Sequence, residues 1–91
     1  MHAEKTEKTA EGAQRFFLNN GEAISSLGEL RDKLQIMDKA TFNYHVNKDK
    51  NDFSSWINGV FMEKDLAEKI KQTLDSKEMA ETISAHLKKR I

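Results

Sequence analysis

A mainly helical single domain, with four or five short helices and a small N-terminal β-hairpin, is predicted by three features of this 91-residue sequence. Apolar residues recur at steps of three and four from Leu27 onward, the mark of amphipathic helices. Capping residues interrupt that pattern at Ser26, Asp38, Asn51 and Asp75. One Asn-Gly pair, Asn20-Gly21, lies between two short apolar runs, the strongest short-range hairpin signal.

Residues 1–14 alternate Glu, Lys, Thr and Ala with almost no bulky apolar side chain, so they are expected to form a mobile tail. A core domain is expected over 16–74 and a C-terminal helix over 75–91. Within the core, Phe16-Phe17-Leu18 and Ala23-Ile24 would be the hairpin strands, with Asn20-Gly21 as a two-residue type I′ turn. A bare Gly loop before the first helix is the competing reading. Ser26 and Glu29 have capping-box spacing, and Leu27, Leu30, Leu34 and Met37 follow as one stripe. Asp38 closes that helix and caps the next, where Phe42, His45 and Val46 share a face. Asn47 to Asn51 reads as an interhelical turn.

Asn51 or Asp52 then caps the most regular segment, in which Phe53, Trp56, Ile57, Val60 and Phe61 fit the i, i+3, i+4, i+7, i+8 template. Phe53 and Trp56 are the expected core anchors. Leu66, Ala67, Ile70 and Leu74 form the inward face of a fourth helix. Asp75 and Glu78 open the last one, whose stripe is Met79, Ile83, Leu87 and Ile91.

With 15 basic and 15 acidic side chains the formal charge is zero, so the globally basic footprint of a non-specific nucleic-acid binder is missing. Residues 16–75 are faintly acidic, and Lys88-Lys89-Arg90 is the one basic cluster. The chain has no Cys, which excludes disulfides, zinc-thiolate sites and thiol nucleophiles. No apolar run reaches the roughly 20 residues that span a bilayer, and the N-terminus lacks a secretory core; a cytoplasmic protein without membrane attachment is expected.

The polar set His45, Asn51 and Asp52 is the chemical focus of the sequence. His45, Asp49 and Asp52 are too few and too loosely spaced for a metal site, and His2 and His86 are far off in sequence. Ser54 and Ser55 sit at a helix start, where Ser is expected for backbone reasons, with no nucleophile elbow. No Gly-rich phosphate loop is present, and no cofactor is expected. The cluster therefore reads as architectural: Asp52 or Asn51 caps the Trp56 helix, while its remaining oxygen, or the neighbouring side chain, accepts from the His45 ring. A polar pocket for a peptide terminus or small ligand beside Trp56 is the functional alternative.

Gly21, Ile24, Ser26-Leu27, Glu29-Leu30, Leu34, Met37, Phe42, His45-Val46, Asn51-Asp52-Phe53, Trp56-Ile57, Val60 and Leu66-Ala67 together resemble a small prokaryotic, largely archaeal, domain family of unknown function. The resemblance covers about residues 16–72, and the His45-to-Trp56 spacing is its most specific part. It implies a hairpin-plus-helices layout and an adaptor role; it carries over no catalytic residue.

A non-catalytic protein-interaction or assembly module is the function these features favour. Tyr44, off the buried face of its helix, and Met79, Ile83 and Leu87 are the expected partner surface, and a homodimer is expected to cover either that last helix or the open hairpin edge at Phe16 to Ile24, where Phe17 faces outward. The alternative is a small nucleic-acid-associated or regulatory protein using Lys48, Lys50 and the C-terminal basic cluster. Against it, the exposed positions of the Phe53–Phe61 helix are Ser54, Ser55, Asn58, Gly59 and Met62, with no Arg or Lys to read bases or grip phosphates.

Overall fold

A computed structural model describes residues 9–89 of the chain. Its first elements are β1 (Phe16–Phe17) and β2 (Ala23–Ile24), antiparallel, with Phe16 opposite Ile24 and Phe17 opposite Ala23. The hairpin is the expected one but its turn is longer. Leu18 N–H donates to Glu22 O at 2.8 Å and Gly21 N–H to Leu18 O at 2.9 Å, so Asn19, Asn20 and Gly21 form a three-residue loop. A type I′ turn would need positive φ at Asn20, and Met62 is the only non-glycine among the described residues that has it. Gly21, at φ +96°, supplies the single left-handed position.

Five helices follow: α1 (Leu27–Ile36), α2 (Lys39–His45), α3 (Asp52–Trp56), α4 (Lys64–Lys71) and α5 (Ser76–Lys89). The caps are where the sequence puts them. Ser26 Oγ accepts from Glu29 N–H at 3.1 Å, Asp38 Oδ1 from Thr41 N–H at 2.8 Å, and Asp75 Oδ2 from Glu78 N–H at 2.9 Å. Glu29 completes its box one residue early, accepting from Ser25 N–H at 2.6 Å.

Besides the hairpin turn, four expectations change. First, 47–51 is more than a turn: β3 (Val46–Asn47) and β4 (Lys50–Asn51) pair antiparallel into a second hairpin. Asn47 Oδ1 accepts from Asp49 N–H at 2.8 Å and Lys50 N–H at 3.1 Å, an Asx turn that reverses the chain without glycine. Second, the regular helix after Asn51 is α only to Trp56 and continues as a π turn over Ile57–Phe61. The i→i+5 spacing of that turn brings residues five apart to one side, and Trp56 and Phe61 meet edge-on with centroids 5.0 Å apart. The turn stops at Met62, left-handed at φ 58°. Third, α4 ends at Lys71, which leaves Leu74 in the following loop, exposed instead of inward.

Fourth, the boundaries at both ends move. Met79 and Ile83 are fully buried, and Leu87 packs against the core, because α5 lies along the Leu27, Leu30 and Leu34 stripe of α1. The C-terminal helix is half of the main helix pair and no appendage. At the other end, Ala10 is buried and its N–H donates to Ser25 O at 2.6 Å, while Thr9 bridges Ser26. Trp56 is buried, as expected of a core anchor, and its indole N–H, which needs an acceptor there, donates to Gln14 O at 2.7 Å. Residues 9–14 are thus held by backbone bonds that a side-chain pattern does not announce. The remainder of the expected tail, 1–8, and Arg90 and Ile91 lie outside the described residues.

Candidate functional site

His45, Asn51 and Asp52 are brought together at the start of α3, whereas Asp49 stays in the β3–β4 turn. α2 ends at His45 because the next two residues run extended into β3, so its ring is directed between the β1–β2 hairpin and the start of α3. The ring is 4% exposed. Phe16 meets it edge-on at 5.0 Å and Phe53 lies at 5.6 Å, tilted. Both nitrogens are engaged: Nδ1 lies 3.0 Å from Asp52 Oδ2, and Nε2 accepts from Asn19 N–H at 3.2 Å. A backbone amide can only donate, so Nε2 is bare and the ring hydrogen sits on Nδ1, donated to Asp52.

The two acidic-or-amide neighbours divide the work. Asn51 is the cap, with Oδ1 accepting from Ser54 N–H at 3.0 Å and Nδ2 donating across to Ile70 O in α4 at 3.1 Å. Asp52, one residue on, takes His45 and also Lys50, whose Nζ is 3.1 Å from the same Oδ2. Ser54 Oγ donates to Ala67 O at 2.8 Å, a second buried bond from α3 to α4. His45 thereby fixes the hairpin and α2 to α3, and Asn51 with Ser54 fixes α3 to α4.

Tyr44 stands on the outside of this cluster, 57% exposed. Its ring meets that of His45 edge-on, with centroids 4.8 Å apart and planes at 82°, and Lys50 Nζ lies 5.2 Å from its centroid. The other three expected partner residues are elsewhere. Met79, Ile83 and Leu87 face α1, so the stripe that predicted a homodimer contact is covered within the chain itself. Phe17 remains exposed on the hairpin, with the Arg15 guanidinium 5.2 Å from its ring.

The serines next to the cluster hold their protons for the backbone: Ser54 Oγ donates to Ala67 O at 2.8 Å and Ser55 Oγ to Asn51 O at 3.3 Å. Neither is hydrogen-bonded to a base. Among the described residues no group of three or more His, Asp or Glu side chains could hold a metal ion, and no helix is long and apolar enough to cross a membrane. Lys48, Lys50, Lys64 and Lys71 line two adjoining hollows of about 330 and 100 Å³ together with Asp49, and Glu68 lines the larger. Arg90 of the expected basic cluster lies outside the described residues.

A further contact has no signal in the sequence. His86 Nε2 in α5 lies 3.4 Å from Glu63 Oε1 in the residue before α4, both side chains mostly shielded. The residues are 23 apart, on different elements, and nothing in their spacing links them. Compared with known proteins, the chain matches no family model, no curated protein and no solved structure.

Proposed function

We propose that this domain is a non-catalytic protein-interaction module that engages its partner through Tyr44. The observation that carries the reading is a large aromatic side chain more than half exposed yet already held in place, by His45 on one side and Lys50 on the other. Most exposed side chains lose rotamer freedom when a partner docks, at about 0.5–1.5 kcal/mol each. A ring immobilised beforehand avoids much of that loss, and tyrosine is among the residues enriched where interface energy concentrates. The charged groups beside it, Lys50 and Asp52, suit the polar rim of such an interface.

The resemblance of the His45, Asn51-Asp52-Phe53 and Trp56 pattern to a prokaryotic domain family of unknown function is proposed as kinship and agrees with an adaptor role in the cytoplasm. The nucleic-acid alternative draws on Lys48, Lys50, Lys64 and Lys71. Asp49 and Glu68 among those lysines, and Asp52 on Lys50, offset much of that charge.

Tagged protein and its Tyr44→Ala variant, each used to capture partners from native extract at low and high salt, test the reading. A discrete partner retained at high salt, with affinity reduced about 30-fold by the substitution, is the expected result, corresponding to about 2 kcal/mol for an interface anchor. Equal capture by both proteins, or only salt-sensitive nucleic acid, would contradict it.

A further inference from the structure

We infer that His45 is a proton-operated latch that holds the Asn19–Gly21 loop closed only while Nε2 is unprotonated. Two hydrogen bonds of opposite direction hold the ring. Asn19 N–H points at Nε2 from 3.2 Å, and Nδ1–H points at Asp52 Oδ2 over 3.0 Å. A second proton on the ring has one place to go, Nε2, where it would set one N–H against another. The bond on the other side of the ring survives and turns from a neutral donor on a carboxylate into an imidazolium–carboxylate ion pair, so protonation loosens one contact and strengthens its opposite.

That asymmetry decides what moves. The ring stays with Asp52 and α3, and the loop leaves. The loop is able to leave as a unit because its own bonds, Leu18 N–H to Glu22 O at 2.8 Å, Gly21 N–H to Leu18 O at 2.9 Å and Glu22 N–H to Asn20 Oδ1 at 2.9 Å, are internal to it, and its charged tie to α1, Lys33 Nζ to Glu22 Oε1 at 3.2 Å, is at the loop's end and half exposed, where it can follow the motion. The titratable and charged groups around the ring are few. Asp52 faces it from α3, Tyr44 abuts it from α2 itself, and Lys50 of β4 acts through the shared Asp52 oxygen. β1 and α3 otherwise present Phe16 and Phe53, and the loop presents only its amide. The released loop would alter the surface next to Tyr44, since both contact the same imidazole.

Nuclear magnetic resonance of the full ¹⁵N-labelled chain between pH 8 and 5 tests the latch. Ring ¹⁵N shifts report protonation of His45, and hydrogen exchange of the Asn19 amide, corrected for its intrinsic pH dependence, reports the loop. The expected result is a tenfold or greater loss of Asn19 protection with the same midpoint as the ring, while the amides of Leu30 and Leu34 stay protected. Asp52→Asn, which keeps an acceptor for Nδ1–H but removes the negative charge, should move both midpoints together to lower pH. His45→Gln should abolish the pH step at Asn19. Asn19 protection that ignores ring protonation, midpoints that separate in Asp52→Asn, or global unfolding before the ring takes its proton would each overturn the latch.

Discussion

At the scale of single residues, two positions show how local chemistry is set by the fold and not by residue preference. Met62 adopts φ 58°, a conformation that costs a side-chain-bearing residue roughly 1–2 kcal/mol, and its own side chain is 81% exposed with little packing in return. Met62→Gly is therefore expected to stabilise the domain by about 0.5–1 kcal/mol, the strain relieved being partly offset by the greater freedom of glycine in the unfolded chain. A lower denaturation midpoint in that variant would show that Met62 packs more than its exposure implies. His45 makes the complementary point. The sequence shows a His on the buried face of a short helix with an Asp seven residues on, across a turn, and this is enough to suggest a pair. It gives no sign that Nε2 would take a backbone amide from residue 19, because that contact depends on the length of a loop 26 residues away.

The starts of α1, α2, α3 and α5 are the elements most legible in the sequence, since each of their caps is a side-chain bond spanning three residues; α4 starts without one. Asn51 is the exception in being a cap and a tertiary tie at once. Asn51→Asp should keep the cap, for which Asp and Asn are nearly equal, but turn a carboxylate oxygen toward Ile70 O in place of a donor. It is expected to cost about 2 kcal/mol or more, and Asn51→Ala a similar amount from losing both bonds. A chemically neutral Asn51→Asp in urea unfolding would mean that the bond to α4 carries no weight. Asp38, the cap of α2, gives a pH dependence instead. The Thr41 backbone N–H, and then its hydroxyl, favour the ionised carboxylate and lower its pKa from 3.8. The lowered folded value makes this contribution full above the unfolded carboxylate's pKa and progressively lost as pH falls through the folded one. Asp38→Asn, which never ionises, should show a shallower loss of stability between about pH 5 and 3 than the parent. Matching slopes would remove Asp38 from the account. What periodicity alone could not convey was where a regular stripe changes its winding. The apolar positions from Phe53 to Phe61 fit an α-helix, but the backbone widens to a π turn that brings Trp56 onto Phe61.

At the scale of the whole molecule, the five helices and the leading hairpin were readable from patterning and caps, whereas which faces remained outside was not. An apolar stripe states that a helix must be covered; it does not name the cover. For α5 the cover is α1 of the same chain, and the large apolar or aromatic side chains left exposed among the described residues are Phe17, Ile36, Tyr44, Met62 and Leu74, of which Tyr44 alone is an aromatic in contact with the His45 cluster. The central claim, that Tyr44 is where another protein docks, is tested most directly by site-specific photo-crosslinking in the native cell. A benzophenone amino acid would be placed at position 44 and, as a control, at position 62, which is 81% exposed and has no aromatic contact assigned to it. One discrete protein adduct is expected from position 44 and none of that mass from position 62. Identical adduct patterns from both positions, or none from 44, would contradict the claim.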